Sequence, residues 1–182
     1  MEAEKKNNSF WTDMLRPVVV LVVICLVASA LLGIVNAKTA PVIEANEKAA
    51  LAESMRTALP AATEFETLEV SEELAAKGVT GFYKGDNGTG YVVIAANKGY
   101  GGDVVVTVGF DAAGTILNVD ANVSTETQGV GSKVGERTIL DRFNGLSGDA
   151  SSVTLRSGAT LTSTAVRNGV NAAFAAVGTL VG

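Results

Sequence analysis

The fold is decided by residues 91–110, which read YVVIAANKGYGGDVVVTVGF. Two runs rich in Val, Ile and Thr flank three glycines in four residues, and this pattern predicts two antiparallel strands joined by a tight turn. Similar runs at residues 65–70, 79–84 and 115–123 are separated by short turns rich in Gly, Asp and Asn. The spacing therefore predicts an antiparallel sheet that extends on both sides of this hairpin.

Helical patterns lie outside the strand region. Residues 162–177 repeat apolar side chains at helical spacing, residues 132–143 are a second helix candidate, and residues 71–77 a short third one. The apolar face of the last helix comprises Val166, Val170, Ala173, Phe174 and Val177. Together these patterns predict an α+β fold, a curved antiparallel sheet with packed helices.

The N-terminal part carries an apolar run without charges at residues 17–37. This run matches the ~20 residues that a helix needs to cross a bilayer. A cleaved secretory signal is the alternative, because Val35-Asn36-Ala37 resembles a small-residue cleavage site. The run exceeds the ~7–15 residues of a typical signal core, so a retained single-pass transmembrane helix is favoured.

Charges on either side of this run indicate its orientation. Lys5, Lys6 and Arg16 precede it, and Phe10 and Trp11 stand where an interfacial aromatic anchor would. Lys38 and Lys48 follow it shortly, so the basic residues before the run are in slight excess. This excess predicts a cytoplasmic N-terminus in the cell inner (plasma) membrane and an extracytoplasmic C-terminal part.

Four segments follow from these patterns. Residues 1–16 are predicted to be cytoplasmic and residues 17–37 to span the membrane. Residues 38–63 read as a helical stalk and linker, kinked or restarted at Pro41, with Met55 and Leu59 facing inward. Residues 64–182 form the predicted extracytoplasmic domain.

Composition excludes several classes of chemistry. The net charge of −5 and the lack of a Lys/Arg cluster argue against binding of nucleic acid. The chain has no histidine and one cysteine, Cys25, inside the apolar run. Ser-His-Asp catalysis, histidine-ligated haem, Cys/His zinc sites and iron–sulfur clusters are excluded, because each needs residues that are missing. We also expect no metal site. Redox work by this chain would require an organic cofactor.

Residues 157–163, Ser-Gly-Ala-Thr-Leu-Thr-Ser, stand directly before the last helical pattern. Thr162 or Ser163 is a good N-cap, and on these residues alone a plain capping role is favoured. The alternative is an anion site, because a helix starting there would direct free N–H groups and its positive dipole end at the Thr160 hydroxyl.

Two glycine-rich stretches have similarly open interpretations. Residues 99–103 read Gly-Tyr-Gly-Gly-Asp, and residues 126–131 read Glu-Thr-Gln-Gly-Val-Gly. Glycines allow a backbone to approach a flat ligand closely, but they equally make tight turns.

The three stretches, in this order, resemble the FMN-binding domain found in the G subunit of Rnf electron-transport complexes and the C subunit of sodium-pumping NADH:quinone reductases. The resemblance covers roughly residues 80–175, and the N-terminal anchor fits the membrane subunits of this family. Gln128 and Val130 stand where the family pattern has Pro and Leu, and Thr154 stands where it usually has an acidic residue.

The resemblance implies that Thr160 carries FMN through a phosphoester bond. Ser157, Gly158, Ala159, Thr162 and Lys133 are then expected around the phosphate. Tyr100 and Val130 are candidates for an apolar seat under the isoalloxazine ring. Its heteroatoms are expected to meet Glu126, Thr127, Gly129 and Gly131.

The resemblance further implies a membrane-anchored flavoprotein that relays electrons within an Rnf-type ferredoxin:NAD oxidoreductase complex coupled to sodium or proton translocation. One such subunit has no complete active site. Its expected partners are the other membrane and peripheral subunits, membrane lipid and a flavin transferase. The alternatives are the C subunit of the NADH:quinone reductase and a noncatalytic anchored binding module.

Overall fold

The computed structural model describes the backbone of residues 2–181 and the side chains of residues 14–181. The side chains invoked above for orientation and interfacial anchoring, Lys5, Lys6, Phe10 and Trp11, lie outside the described residues. The chain divides into two compact units, Met1–Ala49 and Ala50–Gly182.

Helix α1 spans Glu2–Ala58. Every side chain described between residues 14 and 49 is exposed, and the helix is long and apolar enough to cross a membrane. The expected restart at Pro41 is not observed, because the helix continues through both Pro17 and Pro41. A proline removes one backbone hydrogen bond, but the helix continues because the turns on either side are intact.

The sheet has five strands in the order β1-β2-β3-β4-β5, and every neighbouring pair is antiparallel. The strands are β1 (Phe65–Leu68), β2 (Val79–Gly85), β3 (Tyr91–Lys98), β4 (Asp103–Phe110) and β5 (Ile116–Asn122). β3 and β4 pair in register from Tyr91 opposite Phe110 to Lys98 opposite Asp103. The predicted hairpin and the predicted α+β class are confirmed.

Helix α4 (Thr160–Val181) packs on one face of this sheet. Its predicted apolar face is buried against Val106 and Phe110 of β4, and the rings of Phe110 and Phe174 meet edge to face at 5.4 Å. Gly169 permits the close approach, since an added Cβ would lie 3.0 Å from Val106 Cγ2. Each large apolar side chain buried here contributes about 1.5–3 kcal/mol.

The opposite face is covered by the last turns of α1. Met55 and Leu59, predicted to face inward, are buried against Val92 and Ile94 of β3. The backbone of Thr57 also accepts a hydrogen bond from Asn118 Nδ2 at 2.8 Å. Within the unit Ala50–Gly182, the sheet is therefore covered on both faces.

Short helices connect the larger elements. Helix α2 (Glu72–Ala76) confirms the short helix predicted at residues 71–77, and Ser71 caps it through the Leu74 N–H. The single helix predicted at residues 132–143 is wrong. The structure has 3₁₀ turns at Gly131–Gly135 and Asp141–Phe143 on either side of helix α3 (Arg137–Leu140).

The break follows from packing against β5. Glu136 is extended, with φ −68° and ψ 141°. An added Cβ at Gly135 would lie 3.2 Å from Ala121 O of β5 and 2.7 Å from Cγ2 of Val123, which directly follows that strand. Arg137 Nη1 donates to Val119 O at 3.0 Å. These contacts hold the segment along the strand, where a continuous helix could not follow it.

Candidate functional site

Helix α4 begins at Thr160, two residues before the nearer predicted cap. The prediction that Thr162 or Ser163 caps this helix is therefore wrong. Both hydroxyls are used inside the protein: Thr162 Oγ1 donates to Glu126 Oε2, and Ser163 Oγ donates to Arg156 O at 3.4 Å. Thr160 thus occupies the first helical turn itself.

The start of α4 has the character of an anion site. Thr160 is exposed, and the preceding Ala159 is buried. Gly158 has φ +85°, a left-handed conformation that suits glycine and turns the chain into the helix. Among the described residues, the first N–H of α4 that bonds to the turn before it is that of Ser163, which donates to Ala159 O at 2.9 Å. By helix geometry the three preceding N–H groups have no acceptor one turn earlier, and the positive end of the helix dipole lies at this turn.

Glu126 connects three segments of the chain. Its Oε1 accepts hydrogen bonds from the backbone N–H groups of Tyr100 at 3.0 Å and Gly101 at 2.9 Å. Its Oε2 accepts from Thr162. The side chain is only 4% exposed, so water cannot replace these donors. Glu126 therefore joins the β3–β4 turn to the first turn of α4.

The hydrogen bonds also determine the charge of Glu126. Burial raises the pKa of this carboxyl, but the Thr162 hydroxyl and the N–H groups of Gly101 and Tyr100 lower it by more. The pKa therefore lies below its ordinary value, and the carboxyl is ionised at neutral pH.

Glycines surround this carboxylate at positions where a Cβ would collide with neighbouring atoms. An added Cβ at Gly131 would lie 2.8 Å from Glu126 Oε2 and 2.9 Å from Thr162 Oγ1. At Gly99 it would overlap Glu126 Oε1, and at Gly101 it would overlap the Thr125 carbonyl. Residues 99–102 also form a turn, in which Gly99 N donates to Gly102 O at 2.8 Å.

A cavity of about 310 Å³ lies where these three segments meet. Ligand pockets commonly measure about 300–1,000 Å³. Tyr100, Val130 and Leu161 are 75%, 46% and 57% exposed and give the cavity an apolar rim. The complete lining is Tyr100, Glu126, Thr127, Val130, Gly131, Gly158, Ala159, Thr160, Leu161 and Thr162. The arrangement suits a ligand with an anionic end and a flat apolar end.

Most of the residues singled out in the sequence share this lining, and three do not. Ser157 is exposed just before the turn at Gly158. Gly129 has φ +79° and donates its N–H to Ser132 Oγ at 2.9 Å. Lys133 is half-buried in the 3₁₀ turn Gly131–Gly135.

Sequence reasoning missed Leu161 as a site residue. The motif around Thr160 includes it, but nothing in that motif assigned its side chain to the rim. The available signal was an apolar residue beside the small and hydroxyl residues that open an amphipathic helix.

Comparison with known proteins matches two regions of the chain. Residues 99–175 match the family model of the FMN-binding domain, and residues 5–57 match that of the RnfG N-terminal region. A relative from Clostridium ljungdahlii, the G subunit of a proton-translocating ferredoxin:NAD(+) oxidoreductase complex, is 26% identical over 192 aligned positions. The alignment covers 100% of this chain and 99% of the relative.

Proposed function

We propose, from the premise that this chain belongs to the FMN-binding domain family, that it is a membrane-anchored electron-transfer subunit whose FMN is esterified to Thr160. The phosphoester joins Thr160 Oγ1 to the phosphorus of FMN. The subunit works within an Rnf-type ferredoxin:NAD oxidoreductase complex coupled to sodium or proton translocation.

The position of the Thr160 hydroxyl carries this proposal. Thr160 is exposed, lines the cavity, and stands in the first turn of α4, where backbone N–H groups have no acceptor one turn earlier. The neighbouring hydroxyls of Thr162 and Ser163 are buried and donate to Glu126 and Arg156. A modifying enzyme that reaches this motif therefore finds the Thr160 oxygen available and those two engaged.

The lining fits the two ends of FMN. A phosphate on Thr160 would be stabilised by the N-terminus of α4, with Gly158 and Ala159 leaving little bulk around it. The rim of Tyr100, Val130 and Leu161 offers the isoalloxazine ring an apolar seat. When bound, the flavin supplies the electron chemistry, while the protein binds it, orients it and shapes the surrounding field. Ser157, Thr127, Gly129, Gly131 and Lys133 remain proposed contributors from the neighbouring loops.

The anchor and the domain have separate roles in this proposal. Residues 1–16 are cytoplasmic, residues 17–37 span the plasma membrane, residues 38–63 link them to the domain, and residues 64–182 hold the flavin outside the cytoplasm. The other subunits of the complex supply the nicotinamide and ferredoxin sites, so this chain is one relay. A flavin transferase attaches the FMN, and membrane lipid surrounds the anchor.

The match of residues 5–57 to the RnfG N-terminal region favours the Rnf-type complex over the NADH:quinone reductase. The coupling ion is proposed only as sodium or proton, although the Clostridium relative is named proton-translocating. A noncatalytic binding module with the same fold is the alternative that the experiment must distinguish.

Intact mass spectrometry of the full chain, produced together with a flavin transferase, tests the proposal. We expect a mass excess of one FMN phosphoester, localised to the peptide that contains Thr160, and flavin fluorescence that survives denaturation. Thr160→Ala should abolish both. Thr164→Ala is the matched control, because Thr164 is exposed on the same helix and does not line the cavity. An unmodified wild-type chain, or flavin retained by Thr160→Ala, would contradict the proposal.

A further inference from the structure

Glu126 is the one ionisable side chain in the cavity lining apart from the Tyr100 phenol. Its two oxygens accept from Tyr100 N, Gly101 N and Thr162 Oγ1, and the residue is 4% exposed. Since these donors already occupy the carboxylate, its direct contribution to a bound ligand is its charge.

The same bonds set the spacing of the cavity walls. The two backbone N–H groups belong to the β3–β4 turn, and Thr162 belongs to the first turn of α4. Glu126 itself lies in the loop after β5. Gly101, Tyr100 and Thr162 are 25, 26 and 36 residues from Glu126 in sequence, so no local geometry holds them together.

We propose that Glu126 is a positioning residue, which holds the cavity walls at their spacing before the flavin is attached and whose fixed negative charge lowers the reduction potential of the attached flavin. This inference rests on the proposed function. A flavin that gains an electron becomes more negative, and a buried negative charge in the wall of its site disfavours that gain. The low exposure of Glu126 limits its direct contact with water and mobile ions, which reduces the screening of its charge.

Hydrogen exchange on the full-length Thr160→Ala chain tests the positioning role without any flavin. Glu126→Ala should speed exchange of the Tyr100 and Gly101 amides at least about tenfold, equivalent to about 1.4 kcal/mol, because their charged acceptor is gone. The amides of Val106 and Val108 in β4 should keep their protection, which separates local loosening from unfolding. Glu126→Gln serves if the alanine variant does not fold. Unchanged exchange at Tyr100 and Gly101 would overturn the positioning role.

The reduction potential of the flavinylated chain tests the electrostatic role. Glu126→Gln should raise it, while Glu136→Gln, which removes the same charge from an exposed side chain without a capping hydrogen bond, should leave it unchanged. Thr162→Val keeps the Glu126 charge and should shift the potential less than Glu126→Gln does. Equal shifts of the potential in Glu126→Gln and Thr162→Val, or no shift in Glu126→Gln, would overturn the inference. A wild-type chain that carries no flavin would instead overturn the proposed function.

Discussion

The hydrogen bond between Thr162 and Glu126 can be removed with almost no change in side-chain shape. Thr162→Val replaces a hydroxyl with a methyl group, and the buried carboxylate then loses one donor that water cannot replace. A hydrogen bond to a charged group contributes about 1.5–3 kcal/mol. We expect the free energy of unfolding at pH 7 to fall by about that amount.

The size of this loss depends on pH in a defined direction. The pKa of Glu126 in the folded protein lies below its ordinary value of 4.5. The stabilisation from the ionised carboxylate is therefore complete above the unfolded-state pKa and is lost as the pH falls through the folded-state value. The penalty of Thr162→Val should be greatest near neutral pH and should shrink progressively below the ordinary value.

Urea unfolding of the full-length chain in detergent micelles, followed by circular dichroism, measures this effect. Thr164→Val is the matched control, since it makes the same substitution at an exposed position of α4 and should change stability by no more than about 0.5 kcal/mol. Two results refute the reasoning. Either the two variants lose the same stability at pH 7, or the loss in Thr162→Val is as large in acid as at neutral pH.

Two further predictions concern glycines and use the same unfolding assay. Gly158→Ala should lower the free energy of unfolding by about 1–2 kcal/mol, because φ is +85° there, although no atom obstructs an added Cβ. Gly178 also has open space around an added Cβ but lies inside α4, so Gly178→Ala should stabilise the protein by up to about 1 kcal/mol. Equal effects of the two would contradict the backbone argument. Gly109→Ala places a Cβ against the Ala58 carbonyl, so it should lower the free energy of unfolding by about 1–3 kcal/mol. It should also speed tryptic cleavage at Arg56, near the end of α1. Unchanged cleavage would show that this helix end does not pack on the sheet.

The strands and α4 were predictable because their burial is periodic in sequence. β3 and β4 are near-continuous apolar runs, as expected for strands covered on both faces, and the helical repeat of Val166, Val170 and Val177 reports the buried face of α4. The glycine turn between the two strands leaves little choice of pairing. Local spacing also explains why the sequence predicts one continuous helix at residues 132–143, where the structure has a broken one. Its apolar spacing fits a helix, but contacts of Gly135 and Arg137 with β5 keep it broken.

The sequence by itself determined the order of the elements, the apolar anchor and the three stretches that form the candidate site. The spacing of apolar residues along the chain indicates whether a segment is a helix or a strand and which of its faces is buried. The tertiary structure alone decided that Thr160 opens α4, that Leu161 joins the rim, and that Glu126 bonds to Tyr100, Gly101 and Thr162. These contacts join residues far apart in sequence, and they depend on how the sheet and helix pack, because a buried carboxylate must find its donors wherever the fold brings them.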